Sequence, residues 1–529
     1  DSGNNLGNYC VFNPVSADKS VYITANGNLV AQNSAVASGS SGSRGRILSS
    51  IGFKTGKWYA EVQTTAASDG DVDFAVGIFP VESTGYYSTS GHYALRPTGH
   101  LYSPDGVHQS YGTGAWTDDD IIGIAVDMDS STKTIQFFKN GTAIASATTI
   151  VANEYFFGYG SDGGGGSRTY KSTWNFGAAP FTYAPPSGHK SLCTQNLPDP
   201  TIADGSTAFD VALWDGTGSS QAVSLGFDPD FIWAKTRSHS VDHKLVDTVR
   251  GLSSVLESNQ PRAESTGITN GITGTSASGF TVGTSSDFNT NGRSYCAWAW
   301  DAGSSTVTNN TDGTITPTGV RANQSAGISI VKYVGNASNS TVGHGLNAPV
   351  KLIIVKLLDD ASGWSVYHDA IGTTSANYVE LQDTAAAAQD DTAFQDTAPT
   401  NSVFSIGTKA AVNNNNDDHI AYCFAEVEGF SRIGSFENPS SSIGAFVYCG
   451  FRPAFILGRC VKNISSSSGA GDWVIQDTTR NPFNNPTDNN TLVANVSNGE
   501  DAYYNATQVS IDILSNGFKI RHPNSSPLG

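Results

Sequence analysis

Apolar residues along this chain fall in short runs that alternate with polar ones and end in clusters of Gly, Asn, Asp and Ser. A period of two over such runs predicts half-buried β-strands rather than amphipathic helices. The segments WYAEVQT, DFAVGIF, IIGIAVDMD, TIQFFKNGTAIAS, FIWAKT, SIVKYVG and KLIIVKL all carry this texture. Asn140-Gly141 stands between two alternating runs and predicts a tight hairpin, because a primed turn wants φ > 0 at both central positions. The one alanine-rich stretch, Ala385 to Ala388, predicts no more than a single helical turn. Pro180, Pro185, Pro186, Pro198 and Pro200 crowd the passage 179–205 and predict an extended, semi-rigid connector.

Beyond that passage the pattern repeats. One copy reads LGFDPDFIWAKTRS, HKLVDTVRG, LSSVLESN, SGFTVGTS and YCAWAW; a second reads HGLNAPVKLIIVKLLDD, WSVYHDAIG, NYVELQDT, SVFSIGT and AYCFAEV; a third reads CGFRPAFILGRC, WVIQDTTRN, TLVANVSN and NGFKI. Gly226, Gly345 and Gly450 mark the same place in each, 119 and 105 residues apart, a spacing that suits small domains and not a solenoid. Each copy has a lead-in strand, FDVALWDGTGS, ISIVKYVGNAS or RIGSFENPSSS. Closing strands begin at Tyr295 and Tyr422, 15 and 18 residues after Phe280 and Phe404, whereas only 11 residues follow Phe518. The third copy is therefore expected to lack its closing strand, which leaves an open edge that a continuing chain or another chain fills.

The chain has 529 residues, which predicts about three to five domains. Lys plus Arg number 29 against 47 Asp plus Glu, a net charge of -18, and no run of basic residues offers phosphates a surface, so nucleic acid is not an expected partner. The longest apolar stretches are broken by charge well short of the ~20 residues a membrane-spanning helix needs, and no membrane insertion is expected. Cys10, Cys193, Cys296, Cys423, Cys449 and Cys460 include no C-x-x-C pair, which argues against a zinc site or a disulfide scaffold. The chain opens on Asp1 and holds one Met, Met128, and the expectation is a piece of a longer product.

Two resemblances add to this reading. GKWYAEV, FAVGIF, IIGIAVDMD and FFKNG occur in the order and spacing of the SPRY domain and cover roughly Cys10 to Pro186. That resemblance implies a concanavalin-type or jelly-roll β-sandwich whose loops bind proteins or peptides. The long aromatic segment between Pro80 and Trp116 then becomes the candidate ligand-binding face, with Tyr86, Tyr87, Tyr93, Tyr102, Tyr111 and Trp116. A SPRY-like domain, the connector SLCTQNLPDPTIADGS, and GFDPDFIWAK followed by DTVRG together resemble virion proteins of tailed phages of marine bacteria, including cyanophages. Those proteins serve as tail-fibre, tail-associated or head-appendage structures, and their repeated domain has no assigned chemistry.

The fold expected is all-β: a SPRY-like β-sandwich over residues 1–186, a connector over 187–205, and three related β-sandwich repeats over 206–305, 306–428 and 429–529. Asp247 with Arg250, and Asp477 with Arg480, recur at one place in two copies, where His368 and Ile371 stand in the other; this is expected to be a turn in which the carboxylate accepts backbone N–H bonds, not a catalytic pair. Cys296 and Cys423 are read as equivalent buried apolar side chains. Asp127 with Asp129, Asp118 to Asp120, and Asn413 to Asp418 offer oxygen ligands but lack calcium-loop spacing, so neither metal nor cofactor is expected. With no H-E-x-x-H, G-x-S-x-G or phosphate loop, the expected function is non-enzymatic: a phage structural protein on the virion surface, forming a fibre or appendage and taking part in host attachment. Its expected partners are other virion proteins, a host-surface glycan or protein, and copies of itself, a homotrimer by analogy with fibres. The alternatives are an adhesin that binds through the SPRY-like loops and a polysaccharide depolymerase.

Overall fold

The computed structural model describes residues 8–16, 22–25, 27–33, 45–65, 74–81, 91–104, 109–118, 120–161, 170–371, 377–436, 444–461, 471–484, 490–504 and 509–521. The chain forms two compact units, Asp1–Asp199 and Pro200–Gly529.

The first unit is the two-sheet antiparallel sandwich that the SPRY resemblance implies. One sheet runs in the order Tyr22–Ala25, Val30–Asn33, Lys171–Asn175, Lys57–Thr65, Ile121–Asp127, Thr134–Lys139, Thr142–Ala143. The other runs Gly45–Leu48, Tyr155–Ser161, Phe74–Pro80, Tyr93–Leu95, Thr98–Tyr102, Gln109–Ala115. Alternate residues of facing strands, among them Trp58, Val62, Ile124, Val76, Ile78 and Phe157, meet in one core. Asn140 and Gly141 adopt φ of 48° and 78°, as the hairpin requires.

The Pro-rich passage is only partly a connector. Phe181 packs edge-on against Tyr59, the Thr182 and Tyr183 N–H groups donate to the Glu61 carboxylate at 2.7 and 2.8 Å, and Lys190–Ser191 pairs in parallel with Trp58 and Tyr59. Prolines exclude the segment from a sheet interior but leave an extended backbone whose apolar residues still bury, so the first unit runs past the expected limit at Pro186 to Asp199.

The repeats share one plan. In the first, the lead-in strand Phe209–Asp215, the closing strand Ser294–Trp300 and the hairpin Phe231–Thr236 and Lys244–Asp247 form a sheet in that order. In the second, Ile328–Val334, Asp418–Ala425, Val350–Leu357 and Ser365–His368 repeat it. The third has the hairpin Phe455–Gly458 and Val474–Asp477 without a closing strand among the described residues. A second sheet in each repeat sets a valine opposite a phenylalanine: Val223 and Phe280, Val342 and Phe404, Val447 and Phe518.

The ladders correct the matching of the closing strands. Trp233 pairs with both Leu245 and Trp298, and Ile354 pairs with both Val366 and Tyr422. Trp298 therefore corresponds to Tyr422, and Tyr295 to His419, not to Tyr422. Tyr295 and His419 both hold the short helix before the strand: the Tyr295 hydroxyl accepts the Thr290 N–H, and His419 Nε2 accepts the Asn414 N–H. Both follow their phenylalanine by 15 positions, 280 to 295 and 404 to 419. The shared Tyr-Cys dipeptide is out of register by three, an odd number that turns the cysteines to opposite faces of the sheet. Cys296 faces a core shared by the repeats, while Cys423 faces the second repeat's own core.

One further expectation is met at its lower limit and another changes. Ala385 to Ala388 forms no helical turn; Ala388–Gln389 pairs with Asn377–Glu380 and the Ala387 N–H donates to Val461 O, so tertiary pairing overrides alanine's helix propensity. The repeats are also not successive independent domains. They fold as one unit, with Trp233, Trp298, Trp364, Tyr422 and Trp473 in a single cluster. Because that core is shared, Phe404→Ala, a change costing about 3–5 kcal/mol, is expected to lower one calorimetric transition for the whole of Pro200–Gly529; separate melting of the second repeat is the contrary outcome.

Candidate functional site

Among the residues expected to form a binding face, Tyr86 and Tyr87 lie outside the described residues. The others are core and not surface. Tyr93 is 4% exposed and sits edge-on to Tyr155. Tyr102 is 4% exposed and its hydroxyl accepts from Arg96 at 2.9 Å. Trp116 is 2% exposed, with its indole N–H donated to Thr64 Oγ1 at 3.0 Å, and Tyr111 lies edge-on to Phe137. Aromatic residues in a sandwich serve the core as readily as a contact face, and here each ring's polar end has an internal partner. The acidic turn at Asp127 is likewise occupied by its own chain: its carboxylate accepts the Asp129 and Ser130 N–H groups and pairs with Lys57 at 2.8 Å.

The densest polar chemistry lies between the repeats. His243, Trp364 and Trp473 each open the second strand of a hairpin, and each backbone N–H donates to the side-chain oxygen of Asn259, Gln382 or Asn495 of its own repeat. Each ring then reaches into a neighbouring repeat. Trp364 donates to Glu257 O at 3.0 Å, Trp473 donates to Glu380 O at 2.9 Å, and His243 Nε2 donates to Val493 O at 3.0 Å. The acceptors are themselves equivalent, each two residues before the amide that holds the acceptor repeat's own ring: Glu257 before Asn259, Glu380 before Gln382 and Val493 before Asn495. The second repeat thus bonds to the first, the third to the second and the first to the third, and the ring closes. His243 fills a tryptophan's place because its Nδ1 accepts the Trp233 indole N–H at 2.9 Å, which leaves the proton on Nε2. Burial holds this imidazole well below its ordinary pKa, so it stays neutral.

A second set of contacts follows the same circuit. The Tyr422 hydroxyl of the second repeat donates to Asp247 of the first at 2.8 Å, and the equivalent Trp298 of the first donates to Asp477 of the third at 2.9 Å. The expected turn is present, since Asp247 accepts the Val249 and Arg250 N–H groups and Asp477 accepts the Arg480 N–H. Each aspartate also pairs with its arginine, at 2.5 and 2.6 Å, with both side chains nearly or wholly buried. A third set was not read from the sequence: Lys235, Lys356 and Arg459 occupy one strand position in the three copies. Lys235 donates to Ser497 O across repeats, Arg459 donates to Glu380 O across repeats, and Lys356 donates to Leu357 O. The available signal was a basic residue recurring inside an apolar strand in FIWAK, IIVK and FILGR. Burial pushes the Lys235 and Lys356 ammonium groups down to about 8. Cys10, Cys193, Cys296 and Cys423 are buried free thiols.

This geometry defines a β-sandwich unit joined in sequence to a three-repeat β unit held closed by buried polar contacts. The chain belongs to the family described as a domain of unknown function (DUF7483), whose model matches residues 204–527. Among solved structures, the SPRY domain of human HERC1 is similar at 23% identity, over 31% of this chain and 96% of that one, with a TM-score of 0.25. The TRIM65 PSpry domain is similar at 13% identity, over 32% and 89%, with a TM-score of 0.22. No curated protein matches the sequence.

Two substitutions test the energetics. Asp477→Ala strands the buried Arg480 and is expected to cost about 3–5 kcal/mol by chemical denaturation, with much of the loss recovered in Asp477→Ala/Arg480→Met; full additivity would show that the pair does not act as a unit. Lys356→Met removes an ammonium whose folded pKa lies below its unfolded value near 10.5. Between pH 8 and 10.5 the unfolded chain binds more protons, so the wild type gains stability as pH rises there and carries the full penalty below pH 8. The variant is expected to be more stable by about 3 kcal/mol at pH 7, with the difference fading by pH 10.5; a constant difference is the outcome against it.

Proposed function

We propose that the protein is a non-enzymatic structural component of a phage virion, exposed on the particle as part of a fibre or appendage and assembled with other virion proteins. The observation that carries this reading is the use made of the titratable and aromatic groups between the repeats. Asp247, Arg250, Asp477, Arg480, His243 and Trp298 are bonded to one another or to backbone groups and are buried. Groups engaged in this way hold a body rigid and offer no solvent-facing acid, base or nucleophile. Rigidity without chemistry suits a particle component, and the order of SPRY-like segment, connector and repeats resembles virion proteins. The surplus of 18 negative charges favours solubility and limits self-association, as an exposed particle surface requires.

Mass spectrometry of density-purified phage particles, with gold-labelled antibody against the chain in electron microscopy, is expected to find it in the particle and at a surface appendage. Its absence from purified particles, or release of reducing ends from host polysaccharide by the purified protein, would overturn the reading.

A further inference from the structure

The third repeat departs from the other two at one place, and its neighbour departs there as well. Strands Phe231–Thr236 and Val350–Leu357 are each flanked by a hairpin partner on one side and a closing strand on the other. Among the described residues, Phe455–Gly458 pairs with Val474–Asp477 alone, and its opposite edge has no strand. The side chains follow this difference. Phe231 and Trp233 are buried, whereas the equivalent Phe455 and Leu457 are only half-buried, Phe455 resting against the Phe209, Trp298 and Trp300 rings. In the second repeat Leu352, equivalent to Phe231, is also only half-buried at the margin of the shared cluster, whereas the Tyr422 ring covers Phe231 at 4.2 Å.

The closed circuit says what belongs there. Tyr422 of the second repeat meets Asp247 of the first, and Trp298 of the first meets Asp477 of the third. The remaining position of the circuit is His368 of the second repeat, which would be met from the third. We propose that the outer edge of Phe455–Gly458, with Leu352 and His368, is a strand-accepting groove that takes an extended polypeptide segment bearing a tyrosine at the place of Tyr422. Main-chain hydrogen bonds to the open edge would hold the segment, and alternating apolar residues on its two faces would cover the shared core and the third repeat's own core. Tyrosine, not tryptophan, follows from the imidazole. His368 Nδ1 accepts the Ala370 N–H at 3.1 Å, which places the proton on Nε2. A hydroxyl accepts that proton and an indole N–H cannot. The occupant is thus the chemistry of Asp418–Ala425, DHIAYCFA, supplied to a third site of the same kind. This inference does not depend on the virion reading.

The test uses the whole chain under reducing conditions and a fluorescein-labelled DHIAYCFA peptide flanked by lysines. Expected are saturable one-to-one binding by anisotropy and new amide-exchange protection at 455–458. A peptide with phenylalanine for the tyrosine is expected to bind roughly five- to tenfold more weakly, and this ratio to fall to about one in His368→Ala. Leu457→Lys is expected to abolish binding with an unchanged far-UV circular dichroism spectrum. Absence of saturable binding, protection at a different edge, or an unchanged tyrosine-to-phenylalanine ratio in His368→Ala would each overturn the proposal. So would a dimer whose 455–458 amides are already protected without peptide, since a second copy would then hold the edge.

Discussion

The Pro200–Gly529 unit depends on one recurring constraint: a ring N–H that its own repeat cannot satisfy. His243, Trp364 and Trp473 bury their rings at the margin of their repeats, and each N–H finds its acceptor only on a backbone carbonyl of the next. A buried donor left without a partner costs about 1–3 kcal/mol, so no repeat is at its best alone. Three such dependencies in the same rotational sense close a ring, and this accounts for a shared aromatic core where the sequence spacing predicted separate domains.

The charged contacts fix how the repeats meet more than how strongly they adhere. Removing Asp247 and Arg250 from water is expensive, and a buried pair of this kind can be replaced by apolar residues with little loss. What the pair adds is exactness of partner: the Asp247 carboxylate has one oxygen for its own turn and the other for Arg250 and the Tyr422 hydroxyl. A repeat docked in the wrong register would leave that oxygen and the guanidinium unsatisfied. The lysines act in the same direction at greater cost, since Lys356 is 0% exposed and donates to the Leu357 carbonyl.

What the sequence disclosed follows the range of the interaction concerned. The Asn140-Gly141 turn and the alternating strands were legible because a few adjacent residues determine them. The repeat plan was legible because valine–phenylalanine pairs and glycines recur. The register of the closing strands was not, since a chance Tyr-Cys dipeptide outweighed the 15-residue spacing that the ladders enforce. Tyr93, Tyr102 and Trp116 were misplaced for a related reason: aromatic density alone does not say which side of a strand faces water, and here the partners that bury them come from strands distant in sequence. The cross-repeat circuit was hidden as well, because its members differ in residue type and meet only after folding.

That difference in type points to what the circuit requires. At one position histidine stands where the other copies have tryptophan, and at another tryptophan stands where a second copy has tyrosine; in each case a polar hydrogen is delivered to the same acceptor atom or its equivalent. The invariant is therefore a direction and a donor, with ring size free to vary. Where the acceptor itself changes, from Asp247 and Asp477 to His368, the hydrogen-bond polarity reverses, and a hydroxyl can follow that reversal where an indole N–H cannot. A ring of three repeats held by bonds of this kind can diversify its side chains widely while keeping its geometry, so long as donor and acceptor are exchanged together.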